Sequence, residues 1–149
     1  MSQTYSDLNY HLIFGTKERR PTLSSGVRQA LCEYLGGTVK GHGGHPIEIN
    51  AVADHAHLLV RLPPTVPLSD LIRGIKASSS KWLNDTKTRQ RSFGWQDGDA
   101  AFTVSHSLVG RVTEYVRSQE EHHRVKTYRE ELIELLQKAG IEYDPRYLD

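Results

Sequence analysis

The sequence predicts an α+β domain: an antiparallel sheet of four or five strands with helices packed on it. Three observations carry that prediction. Two apolar runs, Ile47-Glu48-Ile49-Asn50-Ala51-Val52 and Asp54-His55-Ala56-His57-Leu58-Leu59-Val60, are joined by a very short connection near Ala53-Asp54. A connection that short suits an antiparallel hairpin. Stretches before and after the hairpin repeat their apolar residues at helical spacing. No internal repeat, low-complexity tract or linker divides the 149 residues, a length that suits one domain with its own core.

The elements follow in order. Leu8 to Phe14 alternates loosely and carries Tyr10, Ile13 and Phe14, which reads as a first strand. Lys17, Arg19 and Arg20 follow it, closed by Pro21; three cations at a strand end can hold a phosphate backbone. Ser24 or Ser25 can cap a helix in which Val27, Ala30, Leu31, Tyr34 and Leu35 share a stripe up to Gly36-Gly37. Lys40 to Pro46 is a glycine-rich loop, with His42 and His45 as loop histidines. After the hairpin, Pro63-Pro64-Thr65-Val66-Pro67 breaks the chain. With Ser69 as its cap, a helix is expected from about Leu68 to Asn84, its stripe Leu71, Ile72, Ile75, Ser79, Trp82 and Leu83. Arg73, Lys76 and Ser80 fall on the opposite side. Thr86 to Gly94 is a polar basic loop, and a strand is expected at about Ala100 to Ser105. Val109 to His123 reads as a helix on the stripe Leu108, Val109, Val112 and Val116. A last helix spans about Tyr128 to Lys138 and stops at Gly140.

Composition excludes several classes. Apolar content of 37% with 25% charged residues is that of an ordinary soluble domain. No apolar run approaches the roughly 20 residues of a membrane helix. The start Met1-Ser2-Gln3-Thr4 lacks the basic region of a signal peptide. The single cysteine, Cys32, makes no intramolecular disulfide and suits a reducing cytoplasm. Net charge is only +1, but it is unevenly spread. Ser69 to Arg91 holds six cations (Arg73, Lys76, Lys81, Lys87, Arg89, Arg91) against Asp70 and Asp85. Glu130 to Asp149 holds six acids (Glu130, Glu131, Glu134, Glu142, Asp144, Asp149) against Lys138 and Arg146. A basic middle and an acidic tail suggest that one face attracts phosphate and another does not.

Along a strand the side chains alternate, so His55, His57, Leu59 and Arg61 share one face. Ala56, Leu58, Val60 and Leu62 take the other, which is apolar throughout and faces a core. The two imidazoles stand roughly 6.6 Å apart at Cα, close enough to converge on one metal ion. A bare His-x-His also occurs by chance as a pair of partly exposed strand histidines. Sixty residues later Tyr115 and Gln119 stack one turn apart on one helix face. Read alone, they are equally an edge-of-core tyrosine and a solvated glutamine.

Taken together, these stretches resemble the HUH single-tyrosine transposases, the insertion-sequence-two-hundred-like family. In that pattern a bulky apolar residue separates two histidines, and a helical tyrosine is followed four residues later by glutamine. Here the residue between the histidines is Ala56, a small version. The resemblance covers nearly the whole chain. It includes Tyr10-His11-Leu12-Ile13-Phe14-Gly15-Thr16-Lys17-Glu18-Arg19-Arg20, the Asp54 to Leu59 run and Trp95-Gln96-Asp97-Gly98. It also includes Ala101-Phe102-Thr103-Val104-Ser105, the Tyr115 to His123 helix and the ending Gly140-Ile141-Glu142-Tyr143-Asp144. One departure is visible: the family usually follows Trp-Gln-x-Gly with Tyr-Gly, and this chain has Asp99-Ala100.

The resemblance implies an HUH-endonuclease-like fold and a reaction. Tyr115 attacks a phosphate in single-stranded DNA, forms a 5′-phosphotyrosine and frees a 3′-hydroxyl, which later rejoins DNA. A tyrosine, with its reference pKa of about 10, is a weak nucleophile at neutral pH until activated. His55, His57 and Gln119 are the expected metal ligands. Two nitrogens and one amide oxygen admit zinc or other transition metals; completion by DNA and water oxygens makes Mg²⁺ or Mn²⁺ the expected cofactor. The family recognises imperfect DNA hairpins and works as a homodimer in the cytoplasm, at the nucleoid. Lys17, Arg19, Arg20, Arg73 and Lys76 are the candidate DNA-binding residues. The tyrosine helix can dock on the partner subunit, with Ser105-His106-Ser107 and Gly110 as the place where the chain swings. His122 and His123 are left unassigned, because adjacent helix positions diverge by about 100°.

Other readings fit less well. A histidine-triad hydrolase wants a further histidine where Leu59 stands, and an amidohydrolase barrel needs about 250 residues. An HUH nickase of replication or conjugation shares the chemistry but matches the length and landmarks less well. A catalytically idle, domesticated hairpin-binding protein is the rival from another class.

Overall fold

The computed structural model describes residues 4–87, 93–123 and 125–148, with no side-chain account of residues 86 and 87. Residues 88–92 of the expected basic loop, with Arg89 and Arg91, lie outside the described residues, as do the start Met1 to Gln3 and Asp149 of the acidic tail.

Four strands form one antiparallel sheet: β1 (Leu8–Gly15), β2 (His45–Val52), β3 (His55–Leu62) and β4 (Ala100–Val104), in the order β2-β3-β1-β4. Both expected hairpin strands are present and turn at Ala53-Asp54, as the short connection required. Pro46, which has no N–H to give a ladder, lies on edge strand β2, where the register slips between Pro46 and Glu48.

Each strand alternates between two covered faces. Leu12, Phe14, Ala56, Leu58, Val60 and Leu62 join α1 (Ser25–Gly41) and α2 (Leu68–Trp82) in the main core. The other face carries Ile13 under α5 (Tyr128–Lys138), and Leu59 with Val104 under Val116 of α3 (Val109–Arg117). A short helix, α4 (Gln119–His122), lies between α3 and α5 in the chain.

Four local expectations are corrected. Helix α1 continues past Gly36-Gly37 to Gly41, because Val27, Leu31, Leu35 and Val39 keep a buried stripe running through the glycines. That burial outweighs roughly 1 kcal/mol per glycine. Ser69 does not cap α2: Pro67 holds the cap position and Ser69 lies inside the first turn. Helix α2 ends at Trp82, and Leu83–Lys87 forms a π-helical turn. The expected helix from Val109 to His123 is divided at Ser118. There the Asn50 amide on β2 donates to the carbonyls of Val116 and Arg117 at 3.0 and 3.2 Å, drawing the end of α3 onto the sheet. Helix α5 starts on a capping box in which Thr127 and Glu130 satisfy each other's backbone N–H groups.

Candidate active site

His55 and His57 stand on a central strand. His55 is opposed by Gly15 and Val52, and His57 by Ile13 and Asn50. The apolar run on the other face of β3 turns both imidazoles toward α3 and α5, where they are buried rather than partly exposed. Two further residues meet them from beyond the hairpin. His123 follows α4, and Glu131 lies on the buried stripe of α5 with Tyr128 and Leu132. The ligand atoms of His55, His57, His123 and Glu131 all lie within 4.8 Å of one another.

Three imidazole nitrogens surround one carboxylate oxygen. Glu131 Oε1 is 3.1 Å from His57 Nε2, 3.2 Å from His123 Nε2 and 3.5 Å from His55 Nε2. The opposite nitrogens of two rings are held from behind: His55 Nδ1 is 2.7 Å from Asp54 Oδ1, and His57 Nδ1 is 2.8 Å from His11 Nε2. His55 Nε2 is buried with no hydrogen-bond partner. A donor set of three imidazoles and a carboxylate, with rings oriented from behind, fits a divalent cation.

The titrations follow from burial and from these contacts. Burial works against a charge on His55, but the hydrogen bond to Asp54 and the negative charge of nearby Glu131 outweigh it and raise its pKa above the ordinary histidine value. Burial dominates at His57 and His11, which are lowered to about 4 and about 3 and stay neutral. Burial opposes the Glu131 charge, yet the contacts with His123 and His57, and the nearness of His55, hold its pKa well below the carboxylate range.

Tyr115 reaches the same carboxylate from α3: its hydroxyl donates to Glu131 Oε2. Burial, and then the hydrogen bond to Glu131, push the phenol pKa well above its usual value. Gln119 is buried, donates its amide to the Tyr115 carbonyl at 3.0 Å and sets Oε1 3.0 Å from His123 Nε2. Its Oε1 therefore meets the same His123 nitrogen that faces Glu131, at the edge of the cluster. Of the two adjacent histidines only His123 joins the cluster, as the helical divergence demands; His122 packs its ring 4.8 Å from that of Tyr115. All of these groups come together within one chain.

The residues that sequence reasoning missed each left a trace. His123 extends the Tyr115–Gln119 spacing by a further four residues. Glu131 is a carboxylate on the buried stripe of α5, where its neighbours Tyr128, Leu132 and Leu136 are large and mostly apolar, and its charge equally suits an acidic tail. His11 shares a face of β1 with Ile13, and nothing in the sequence pairs it with His57.

The expected cations divide into two groups. Lys17, Arg20 and Arg73 are exposed. Arg19 lies over the Tyr128 ring at 4.4 Å and bonds the Leu148 carbonyl at 3.3 Å. Lys76 binds the carbonyls of Asp97 and Gly98 at 3.3 and 3.2 Å and meets Asp99 at 3.5 Å, so it fastens the loop that departs from the family pattern. An open cleft of about 700 Å³ runs between α2 and this loop, lined by Arg73, Lys76, Trp95 and Gln96. A second, of about 420 Å³, is lined by Asp54, His123, Lys126 and Tyr128 and meets the cluster at His123. Gly15 is required where these parts meet: a Cβ there would lie 2.4 Å from Gln96 Oε1 and 2.9 Å from the Tyr128 ring.

Paired strand histidines facing a helical tyrosine, on an antiparallel sheet, define the HUH single-tyrosine class of DNA-cleaving transposases. Residues 4–119 match the family described as "Transposase IS200 like", and the chain belongs to that family. It is 26% identical over 117 residues to the ISDra2 transposase TnpA of Deinococcus radiodurans, covering 75% of this chain and 84% of that one. It is also 26% identical over 131 residues to the transposase of insertion sequence IS200 from Salmonella typhimurium, covering 84% and 85%. Among solved structures, a putative transposase from Deinococcus radiodurans superposes with a TM-score of 0.66 at 22% identity, over 80% of this chain and 98% of the other. A REP-associated tyrosine transposase bound to a REP hairpin gives 0.61 at 13% identity, over 83% and 73%. These two likenesses bear on the fold. Among the described residues no helix is long and apolar enough to cross a membrane.

Proposed function

We propose that this transposase cleaves and rejoins single-stranded DNA at insertion-sequence ends, with Tyr115 as nucleophile and a divalent metal held by His55, His57, His123 and Glu131. One observation carries the reading. The Tyr115 hydroxyl is bonded to one oxygen of the carboxylate whose other oxygen faces three imidazole nitrogens. A nucleophile and a cation cradle thus share one side chain.

Tyr115 Oη forms a bond to phosphorus and the P–O3′ bond breaks, leaving a 5′-phosphotyrosine and a 3′-oxygen that takes a proton from water. Glu131 Oε2 is placed to accept the phenol proton. Because the phenol pKa is raised, that proton leaves as the O–P bond forms rather than beforehand. A bound divalent ion supplies charge neutralisation at the non-bridging phosphate oxygens. Asp54 and His11 orient the two strand histidines from behind, and Gln119 Oε1, beside His123 Nε2, is placed to add an amide oxygen to the ion's surroundings. Rejoining reverses the bond changes and needs no nucleotide cofactor. Three imidazoles make the site richer in nitrogen than the expected pair with an amide, which favours Mn²⁺ over Mg²⁺.

The DNA partner is read as single-stranded with imperfect hairpins, supported by the hairpin bound to a structural relative. Lys17, Arg20 and Arg73 are the proposed phosphate contacts; Arg19 and Lys76 act by holding the framework beside them. A homodimer is part of the reading, from the family resemblance. An HUH nickase would use the same residues on a different DNA target.

The test uses labelled single-stranded oligonucleotides carrying the hairpins that flank the reading frame. Wild-type protein with Mn²⁺ should yield a covalent protein–DNA adduct, EDTA should abolish it, and Tyr115→Phe should bind DNA without forming it. An adduct formed by the Phe variant rejects Tyr115 as nucleophile. Full cleavage in EDTA rejects the metal.

A further inference from the structure

His11 has no part in the cluster itself, yet it is buried and belongs to the opening strand that the resemblance singled out. Its Nε2 lies 2.8 Å from His57 Nδ1, and the two rings lie edge to edge with centroids 5.1 Å apart and planes 24° apart. Strand pairing fixes this contact: His11 is opposite Leu59, and Ile13 is opposite His57, so both imidazoles leave the same face of neighbouring strands. Phe102, with its ring centroid 6.2 Å away, and Tyr115, at 5.9 Å, border the His11 ring.

We propose that His11 is the positioning residue of the metal site: it holds the His57 ring so that Nε2 faces the cluster, and it accepts the Nδ1 proton that a metal-bound His57 must carry. The inference rests on the divalent-metal reading above. A histidine can give a metal the lone pair of Nε2 only if that nitrogen is unprotonated, so the ring proton must sit on Nδ1 and needs an acceptor there. Among the hydrogen bonds of the site, the Nδ1 partner of His57 is His11 Nε2. Most metal-bound histidines are held from behind by a carboxylate, a carbonyl or water. His55 follows that rule through Asp54; His57 uses a second imidazole.

The difference has a consequence. A carboxylate or carbonyl can only accept, which locks the ring it holds in one tautomer. A neutral imidazole can accept or donate at Nε2 by exchanging its own tautomer. Without metal, His11 donates to His57 Nδ1 and His57 Nε2–H donates to Glu131 Oε1, 3.1 Å away. With metal, both rings shift tautomer: His57 Nδ1–H donates to His11, and Nε2 is released to the cation. Both rings remain neutral in either state, and the number of protons is unchanged. His11 therefore satisfies His57 in both states.

The test compares His11→Leu, which removes the partner, with His11→Gln, whose amide can donate or accept at a similar reach. Co²⁺ affinity is measured by calorimetry and by the visible absorption of bound Co²⁺. The His57 tautomer is read from ¹⁵N spectra of metal-free and Zn²⁺-loaded protein. His11→Leu should lose about 10–100-fold in affinity, the range for removing an outer hydrogen-bond partner, and His11→Gln should stay within about threefold of wild type. The spectra should show His57 Nδ1 protonated in loaded wild-type protein. Wild-type affinity in a folded Leu variant overturns the assignment. So does an equal loss in both variants, which would mark a packing role, or an unprotonated His57 Nδ1 in the loaded state, a result that stands even if the Leu variant fails to fold. Wild-type protein that binds neither Co²⁺ nor Zn²⁺ would instead reject the metal reading beneath it.

Discussion

Glu131→Gln isolates the carboxylate that joins the nucleophile to the cluster. The substitution keeps the shape and removes the charge. Hydrogen bonds to a charged group contribute about 1.5–3 kcal/mol each and neutral ones about 0.5–1.5. The change therefore costs about 1–1.5 kcal/mol for each bond that loses its charged partner. Tyr115 and at least one imidazole are such partners, so metal-free protein should lose about 2–3 kcal/mol, or roughly 4–12 °C in Tm for a chain of this size. The metal effect is separable. At a Mn²⁺ concentration of about 100 times Kd, wild type gains about 2.7 kcal/mol. If the variant binds tenfold more weakly, it gains only about 1.4 kcal/mol at the same concentration. Thermal unfolding with and without Mn²⁺ reads both quantities in one series. A Mn²⁺-induced rise in Tm equal to that of wild type would refute Glu131 as a ligand. An unchanged metal-free Tm would refute the hydrogen-bond accounting.

Three further outcomes are expected. His57 and His11 resist protonation in the fold, while the same groups in the unfolded chain take protons near pH 6.5. Stability in EDTA, measured by urea unfolding, should therefore fall as pH drops from 7 to 5, by on the order of 2 kcal/mol after the opposing contribution of His55. Equal or greater stability at pH 5 contradicts this. Arg73→Ala should lower the salt dependence of hairpin binding by about 0.7–0.9 in the log–log slope with no change in Tm. Lys76→Met should instead lower Tm, because it frees the loop at Asp97 and Gly98; the reverse pattern would exchange their roles. Finally, because Tyr115 meets Glu131 within one chain, mixing Tyr115→Phe with His57→Ala under subunit exchange should restore no cleavage. Activity in about half the sites of confirmed heterodimers would show that the tyrosine helix serves the partner.

The strands and the faces of β3 were legible because period-two alternation leaves one arrangement that buries Ala56, Leu58, Val60 and Leu62. The helix at Tyr128–Lys138 was legible to the residue, from its stripe and Gly140. Boundaries failed where tertiary burial overrode local signals: buried Val39 carried α1 through two glycines, and Asn50 divided the tyrosine helix by reaching its carbonyls from another element. The site was half legible for a related reason. His55 and His57 are two residues apart, and Tyr115 and Gln119 four, so local periodicity pairs them. His11, His57 and Glu131 span 120 positions and meet only through sheet pairing and the docking of α5, which no short pattern encodes.

The placement of Glu131 follows from its neighbours. A buried charge costs several kcal/mol unless it is paired. On α5, Tyr128, Leu132 and Leu136 are buried beside it against Ile13. At about 1.5–3 kcal/mol for each large side chain removed from water, their burial is enough to hold the helix down with the carboxylate inside. The charge must then find partners, and the nearest are three imidazoles and a phenol. Residues 4–119 carry the family match, and His123 and Glu131 lie beyond it. The docking of α5 thus couples packing to chemistry: whatever loosens the helix withdraws the carboxylate from nucleophile and cluster together.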